Sequence, residues 1–356
     1  MFYYLGGLLK NCWGPGRLLQ SYTVLIVLAL YTGFFLTRTL LPKCYALLPS
    51  DRGREFSLTK EAAKGKPTGA GVVFITIFTL LSILFVPLDL LQVGTLVLTW
   101  AMMLTGFLDD RSVSGWGEYR KGLLDLIISL AMALLLADRL RLDSPDGKLS
   151  FWFPFITHSV NVPVWLYIII TTIMLWMSVN TTNCTDGVDG LSASLVLLAL
   201  ITMAIIFYII FGHVDISNYL LVPHLQGGAS WAVMTFCLAG VLMGYLWHNA
   251  YPSSVLMGDA GSRALGFYTG VCVMMTGNPF MFLATSSIVF VNGGMGLLKV
   301  ALKRFFHITI FGSIRFPLHD HFRKNHGWSP TQVLVKFMII QILITVVLLG
   351  IFFKIR

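Results

Sequence analysis

The chain has 356 residues, of which 56% are hydrophobic and only 12% are charged, and its mean hydropathy is +0.79. Soluble domains carry about 25% charged residues, so these values exclude an ordinary soluble protein and indicate an all-α polytopic membrane protein. The formal net charge of +9 fits basic loops on anionic lipid or an anionic substrate. A nucleic-acid partner is not expected, because the chain contains no long basic tract.

Ten apolar runs follow one another along the chain. Each approaches the length of about 20 residues that crosses a hydrocarbon core as a helix. No internal repeat or flexible linker divides the sequence, so residues 1–356 are predicted to form a single domain. The predicted spans are 21–42, 68–87, 90–108, 122–138, 162–180, 190–211, 230–247, 263–276, 280–302 and 331–353.

The distribution of Lys and Arg predicts the orientation of these spans. With both termini outside the cell, most basic residues fall on the inner side, in agreement with the positive-inside rule. The polar segments 43–67, 109–121, 180–190, 248–262 and 303–330 then share the cytoplasmic face. No cleavable signal peptide is evident, and the five scattered cysteines form neither a C-x-x-C pair nor a zinc pattern. Any chemistry is therefore expected at the inner face.

Basic residues precede the second span and begin the fourth. Lys60, Lys64 and Lys66 lie just before Pro67, and Lys121 follows Arg120. Singly, such residues are typical of positive-inside loops. Together they form a rim that would bind an anionic, phosphorylated substrate.

Two adjacent aspartates, Asp109 and Asp110, end the third span. Their charges repel one another and oppose the helix dipole, so the pair is unfavourable without a nearby cation. A solvated pair at a helix end is the alternative interpretation, and the motif is not specific by itself.

The fifth span ends in a polar segment that begins at Asn180. In Asn183-Cys-Thr-Asp186-Gly187-Val-Asp189-Gly, a spacing of three places both carboxylates on one side of a turn. The glycines allow the backbone to approach a ligand closely. A capping turn at the start of the next helix would explain Asp189 alone, but not the whole cluster.

Asp259 lies between small residues at the entrance to the eighth span and is followed by Ser262. A carboxylate between glycines with a hydroxyl at a helix start suits Mg²⁺ and phosphate. An ordinary capped helix entry explains Ser262. A carboxylate at membrane depth, which costs about 2.5 to 3.5 kcal/mol on insertion scales, is more often functional.

The segment 316–326 is read as a basic loop that contains His319, Asp320 and His321. Two histidines spaced by two suit a metal or a phosphate. Phosphate contact is favoured, because the aspartates already supply the oxygen ligands that Mg²⁺ prefers. The alternative is a loop lying on anionic lipid, with the aromatic residues of 305–311 in the interface plane.

In this order the motifs resemble those of the bacterial phospho-N-acetylmuramoyl-pentapeptide transferases, within the polyprenyl-phosphate N-acetylhexosamine-1-phosphate transferase superfamily. The resemblance covers nearly the whole chain. The residues that carry it are Pro67-Thr-Gly-Ala-Gly71, Gly106-Phe-Leu-Asp-Asp110, Asn183 to Gly190, and Asn249 to Ser262.

The resemblance implies transfer of phospho-MurNAc-pentapeptide from its UDP-linked form to undecaprenyl phosphate, giving lipid I and UMP, with Mg²⁺ as cofactor. It implies a multi-pass protein of the bacterial inner membrane with its active site toward the cytoplasm, and it leaves a homodimer open. The expected metal ligand is Asp259. The expected catalytic residues are Asp109, Asp110, Lys121, Asn183, Asp186, His319 and His321. The expected substrate-binding residues are Lys64, Lys66, Asn180, Gly187, Asp189, Asn249, Ser262 and Asp320.

The chain departs from the family pattern at several positions. Asp320 replaces the middle residue of a triple histidine, and Leu256 stands where an aromatic residue often flanks the nucleobase. A family lysine aligns with Ala63, so that Lys64 or Lys66 would have to substitute for it. Direct attack by the acceptor phosphate, with Asp109 as base, and a covalent aspartyl intermediate both remain open.

Two other functions are compatible with parts of the pattern. One is a sister transferase that uses UDP-GlcNAc and the same lipid carrier. The other, of a different class, is a transporter with interfacial carboxylates. Transporters place charges near the bilayer midplane, whereas these charges gather at one face.

Overall fold

The computed structural model describes residues 1–10, 12, 14–53, 64–112, 114–144 and 146–354. Within these residues the protein is mostly helical, which confirms the all-α class. The helices are α1 (Phe2–Leu9), α2 (Tyr22–Leu40), α3 (Gly71–Phe85), α4 (Leu90–Arg111), α5 (Glu118–Asp143), α6 (Val164–Thr185), α7 (Leu191–Ile206), α8 (Val214–Tyr219), α9 (Gly228–Asn249), α10 (Gly258–Met275), α11 (Met281–Val289), α12 (Met295–Phe306), α13 (Leu318–His326) and α14 (Pro330–Lys354).

Every predicted span corresponds to a helical segment. Single turns of π-helix extend α7 through residue 211 and join α11 to α12, so the ninth segment runs continuously from 281 to 306. Seven of the described segments are long and apolar enough to cross a membrane. The other three are α3, which has only 15 residues, and α5 and α10, which carry charged side chains in their first two turns.

One small β-hairpin interrupts the helical pattern, and the sequence analysis does not predict it. Strands β1 (Leu149–Phe151) and β2 (Val160–Val162) pair antiparallel, with Ser150 opposite Asn161. Immediately after β1, the buried Trp152 donates from its indole Nε1 to the carbonyl of Thr276. The hairpin therefore closes the bundle at the C-terminal end of α10.

Helix α10 lies at the centre of the bundle, and all of its 18 residues are buried. It packs against α3, α4, α6 and α7. The backbone of α4 approaches the start of α10 so closely that a Cβ at Gly106 would lie 2.4 Å from the carbonyl oxygen of Asp259. Only glycine permits that approach.

Three helix boundaries next to the polar segments differ from the prediction. Helix α4 continues to Arg111 rather than ending at 108, α5 begins at 118 rather than 122, and α10 begins at 258 rather than 263. Arg263, the first residue of the predicted eighth span, lies in the second turn of α10 and is fully buried. Ion pairs between neighbouring helices explain why these polar turns stay helical.

Candidate active site

Asp110 joins the end of α4 to the start of α10. Its Oδ1 accepts a hydrogen bond from the backbone N–H of Asp259, and its Oδ2 accepts one from Ala260, both at 3.0 Å. A carboxylate at this position satisfies two otherwise unpaired N–H groups and neutralises the positive end of the helix dipole. Gly258, with φ +67°, makes the turn that brings them together.

Lys121, in the first turn of α5, lies between two buried carboxylates. Its Nζ is 3.0 Å from Oδ2 of Asp259 and also forms an ion pair with Asp109. The other oxygen of Asp109 accepts a hydrogen bond of 2.6 Å from the backbone N–H of Trp116. The cation that the two adjacent aspartates were expected to need is therefore supplied by the chain itself.

The end of α6 contacts the same turn of α10. Ser262 is fully buried, and its Oγ donates to Oδ1 of Asn183 over 2.9 Å. Asp186 is the C-cap residue of α6. Asn180 lies one turn before Asn183, and its Nδ2 donates to the carbonyl of Trp176. Of the predicted residues of α6, Asn183 is thus brought against the first turns of α10.

Asp189 and Lys66 meet at Ser253. Oδ2 of Asp189 accepts a hydrogen bond of 3.0 Å from the backbone N–H of Ser253, and Nζ of Lys66 donates to the Ser253 hydroxyl over the same distance. Lys66 lies 3.9 Å from Asp189. Three segments distant in sequence therefore meet around one carboxylate.

Asn249 uses both ends of its side-chain amide within the protein. Its Oδ1 accepts from the N–H of Gly190, and its Nδ2 donates to the carbonyl of Val255. The residue is buried. This geometry indicates that Asn249 holds the two loops in place.

The expectation that residues 316–326 form a basic loop is wrong for most of the segment, because Leu318 to His326 form helix α13. His319 is buried, and its ring and backbone N–H both contact Oδ1 of Asn292. Burial, and then the charge of Arg323, lower the pKa of His319 to about 3. His319 is therefore neutral at physiological pH and contributes no positive charge for phosphate binding.

The ring of His319 lies directly against Gly187. A Cβ on Gly187 would be 2.4 Å from the His319 Nε2 atom. Any larger residue at Gly187 would push α13 away from the end of α6. Gly187 and His319, which were predicted separately, are thus in contact, and the contact requires glycine.

Asp320 and His321 lie in the first turn of α13, and both contact Arg315, one at its side chain and the other at its backbone. Oδ2 of Asp320 is 3.8 Å from Nη2 of Arg315, and burial raises the pKa of Asp320. His321 Nδ1 lies 3.3 Å from the backbone N–H of Arg315.

Of the predicted basic rim, Lys64 is exposed. Lys60 and position 63, which aligns with the family lysine, lie outside the described residues.

Three polar residues at this end were not singled out from the sequence. Asn292 orients His319, and Asp125 forms a buried ion pair with Arg263. Each stands inside a predicted apolar span, where a polar or ionisable residue signals a partner on a neighbouring helix. That signal would have found both Asn292 and Asp125.

The donor set at Asp109 and Asp259 suits a hard divalent cation. No group of three or more His, Cys, Asp or Glu side chains that could hold a metal occurs among the described residues. Mg²⁺ usually binds through one or two carboxylates, with water and substrate phosphates completing its shell. Two carboxylates that already share a positive charge meet that requirement.

The chain is similar in sequence to known proteins. Residues 92–277 match the model of glycosyl transferase family 4. A phospho-N-acetylmuramoyl-pentapeptide-transferase of Treponema pallidum (strain Nichols) is 54% identical over 96% of this chain and 93% of its own length. Proteins with the same name from Nitratiruptor sp. (31% identical, 92% and 94% coverage) and Campylobacter curvus (29% identical, 98% and 98%) are also similar.

The pKa of His319 predicts an acid-dependent loss of stability. Because the folded pKa lies below the ordinary value of 6.5, the unfolded chain binds a proton first as the pH falls. Stability is fully present above pH 6.5 and decreases by up to about 1.4 kcal/mol for each pH unit between 6.5 and about 3. We expect His319→Gln to reduce the fall in melting temperature between pH 7.5 and 5.5, measured on purified protein in detergent.

The matched control is His158→Gln, because His158 is exposed in the β1–β2 connection. It should leave the pH dependence unchanged. An equal pH dependence in wild type and His319→Gln would show that His319 is not held neutral.

Proposed function

Because this chain belongs to the phospho-N-acetylmuramoyl-pentapeptide transferases of glycosyl transferase family 4, we propose that it transfers phospho-MurNAc-pentapeptide from UDP-MurNAc-pentapeptide to undecaprenyl phosphate. The products are lipid I, an intermediate of peptidoglycan synthesis, and UMP. The observation that carries this proposal is the meeting of Asp109, Lys121 and Asp259, from three separate helices, at one end of the bundle.

The proposed reaction is a phosphoryl transfer. An oxygen of the lipid phosphate forms a new bond to the sugar-linked phosphorus, the pyrophosphate P–O bond breaks, and the electron pair leaves with UMP. Such reactions are accelerated mainly by positioning and by neutralising charge. The buried carboxylates and the ammonium of Lys121 provide fixed charges at this site.

The two adjacent aspartates have different roles in this proposal. Asp110 uses both carboxylate oxygens to hold the first turn of α10, so it positions Asp259. Asp109 keeps one oxygen on the backbone of Trp116 and directs the other to Lys121. Asp109 is therefore the residue that would take a proton from the phosphate of undecaprenyl phosphate, if that phosphate carries one.

Mg²⁺ is the proposed cofactor, held by Asp259 with Asp109 beside it. When bound, it would neutralise charge on the pyrophosphate. Lys121, held at Asp109 and Asp259, would contribute positive charge toward the substrate phosphates. Asn183 and Ser262 would keep the first turns of α10 in place.

The remaining polar groups would bind the rest of the two substrates. Asp189, Lys66 and Ser253 form one polar group and are proposed to contact the uridine. Arg315 and the partly exposed His321 lie on the α13 side and are proposed to contact phosphate. Asp186, Asn180 and Lys64 line the space between them in this proposal.

The proposed arrangement in the membrane is a single domain of ten spans with both termini outside. The ends of α4 and α6 and the starts of α5 and α10 then lie at the cytoplasmic face, where the soluble nucleotide substrate is available. The Lys and Arg distribution supports this orientation. The shared name of the similar proteins favours the muramyl substrate over UDP-GlcNAc, and clustering of the charges at one end argues against a midplane transport site.

Turnover tests the function directly. Purified protein with undecaprenyl phosphate and Mg²⁺ should release UMP from UDP-MurNAc-pentapeptide and not from UDP-GlcNAc. We expect Asp259→Asn to lower this rate by at least 100-fold without changing the melting temperature by more than a few degrees, because a neutral amide holds the cation poorly. Asp138→Asn, an exposed carboxylate at the far end of α5, is the control.

Release of UMP from UDP-GlcNAc instead would establish the sister activity. Full activity of Asp259→Asn would remove Asp259 from the metal site.

Binding of Mn²⁺, a paramagnetic substitute for Mg²⁺, tests the place of Lys121. Because its ammonium competes for the same carboxylates, Lys121→Met should bind Mn²⁺ on the order of tenfold more tightly, while UMP release falls. Electron paramagnetic resonance of free Mn²⁺ measures the affinity. Lys148→Met, at the opposite end of the bundle, is the control and should bind Mn²⁺ as tightly as wild type. Weaker Mn²⁺ binding by Lys121→Met would contradict the competition between its ammonium and the cation.

Cysteine labelling tests the orientation. In variants that retain one cysteine each, a membrane-impermeant maleimide added to intact spheroplasts should label Cys12 at the N-terminal end. It should not label Gly117→Cys, which lies in open space beside α5 at the site. The reverse pattern would place the site outside the cell.

A further inference from the structure

Helices α5 and α10 each carry two opposite charges one turn apart near the active-site end, and the proposed reaction uses only one from each helix, Lys121 and Asp259. Both begin at the active-site end and both pack against α4 and α6, so they face one another across the same two helices. Lys121 and Asp125 lie one turn apart on α5. Asp259 and Arg263 lie one turn apart on α10.

Two ion pairs connect the helices. Lys121 pairs with Asp259, and one turn deeper Arg263 donates from Nε to Oδ1 of Asp125 over 3.0 Å, with Nη2 on the same oxygen. The deeper pair is almost completely enclosed, at 0% and 1% exposure of the two residues. It lies out of reach of a substrate and therefore cannot act on one directly.

The order of the charges is opposite on the two helices. Going into the bundle, α5 presents a positive and then a negative side chain, whereas α10 presents a negative and then a positive one. If one helix slid by a turn, about 5.4 Å, like charges would face each other in place of an ion pair. Only one register therefore pairs all four groups.

Stability alone does not explain the deeper pair. Apolar residues of similar volume often replace a buried ion pair without loss of stability, whereas removal of one partner leaves an unpaired buried charge. The Nη1 atom of Arg263 is itself buried without a hydrogen-bond partner among the described residues. This pair is thus costly to bury, and its geometry constrains the helices.

We propose that Asp125 and Arg263 are positioning residues, whose buried ion pair fixes the axial register of α5 against α10 and so holds Lys121 at Asp259. The expected effect on turnover rests on the proposed function. The claim that the ion pair fixes the register of the two helices does not. A register that shifts would leave the bundle folded while the ammonium of Lys121 loses its position between the two carboxylates.

Two double variants test the proposal. Asp125→Leu with Arg263→Met removes both charges. Asp125→Arg with Arg263→Asp keeps an ion pair but makes α5 carry two positive charges and α10 two negative ones, so that a slid register still pairs opposite charges. We expect both to melt within a few degrees of wild type, and both to lower kcat for UMP release by at least tenfold with little change in KM.

The register is measured independently of turnover by spin labels at Leu142→Cys and Phe280→Cys, in a background without the native cysteines. These exposed positions lie at the end of the bundle away from the site. Electron–electron resonance should give one distance with the native pair and a broader or second distance in each double variant. Reversal of only Asp125, by Asp125→Arg alone, should prevent folding, because two buried cations then face each other.

A single unchanged distance in both folded double variants, together with wild-type kcat, would overturn the proposal. If the enzyme with the native pair releases no UMP, the proposed function fails, and the spin-label distances still decide whether the pair sets the register. If a double variant does not fold, the other one decides.

Discussion

The contact on which this site depends is the carboxylate of Asp110 on the first two backbone N–H groups after Gly258. It joins residues almost 150 positions apart and fixes the start of α10, the most enclosed helix of the bundle. A buried helix N-terminus leaves several N–H groups unpaired, and satisfying them with a charged acceptor is strongly favourable in a medium that excludes water. Asp259 follows Gly258 directly, so the same contact places the candidate metal ligand.

Alternating charge is the second principle of the site. Asp109, Lys121 and Asp259 form a continuous series, and Arg263 with Asp125 repeats it one turn deeper. Each charge has an oppositely charged neighbour, which is how a protein keeps ionised groups beside apolar spans. Asp109, Lys121 and Asp259 would be available to substrate and cation. Asp125 and Arg263 would then fix the positions of these three side chains.

The histidine helix shows how packing changes the chemistry of a motif. As a sequence, His319-Asp320-His321 suits a basic phosphate-binding loop. In the folded protein, burial against Gly187 and Asn292 keeps His319 neutral, while His321 stays partly exposed. Positive charge on this side therefore comes from Arg315 and Arg323, and His319 joins the ends of α6 and the π-helical turn at 290–294.

The sequence by itself determined the membrane class, the positions of the apolar segments that form helices and the motifs that carry the family resemblance, because helix length and hydropathy are local properties and the motifs are short. It also indicated that Asp109, Asp186 and Asp259 lie at one end. Only the tertiary structure decided that Asp110 caps α10, that Lys121 pairs with two carboxylates, that Arg263 forms a buried ion pair with Asp125, and that burial lowers the pKa of His319. These properties depend on which segments distant in the chain come into contact, and on the burial that results, which no local pattern records.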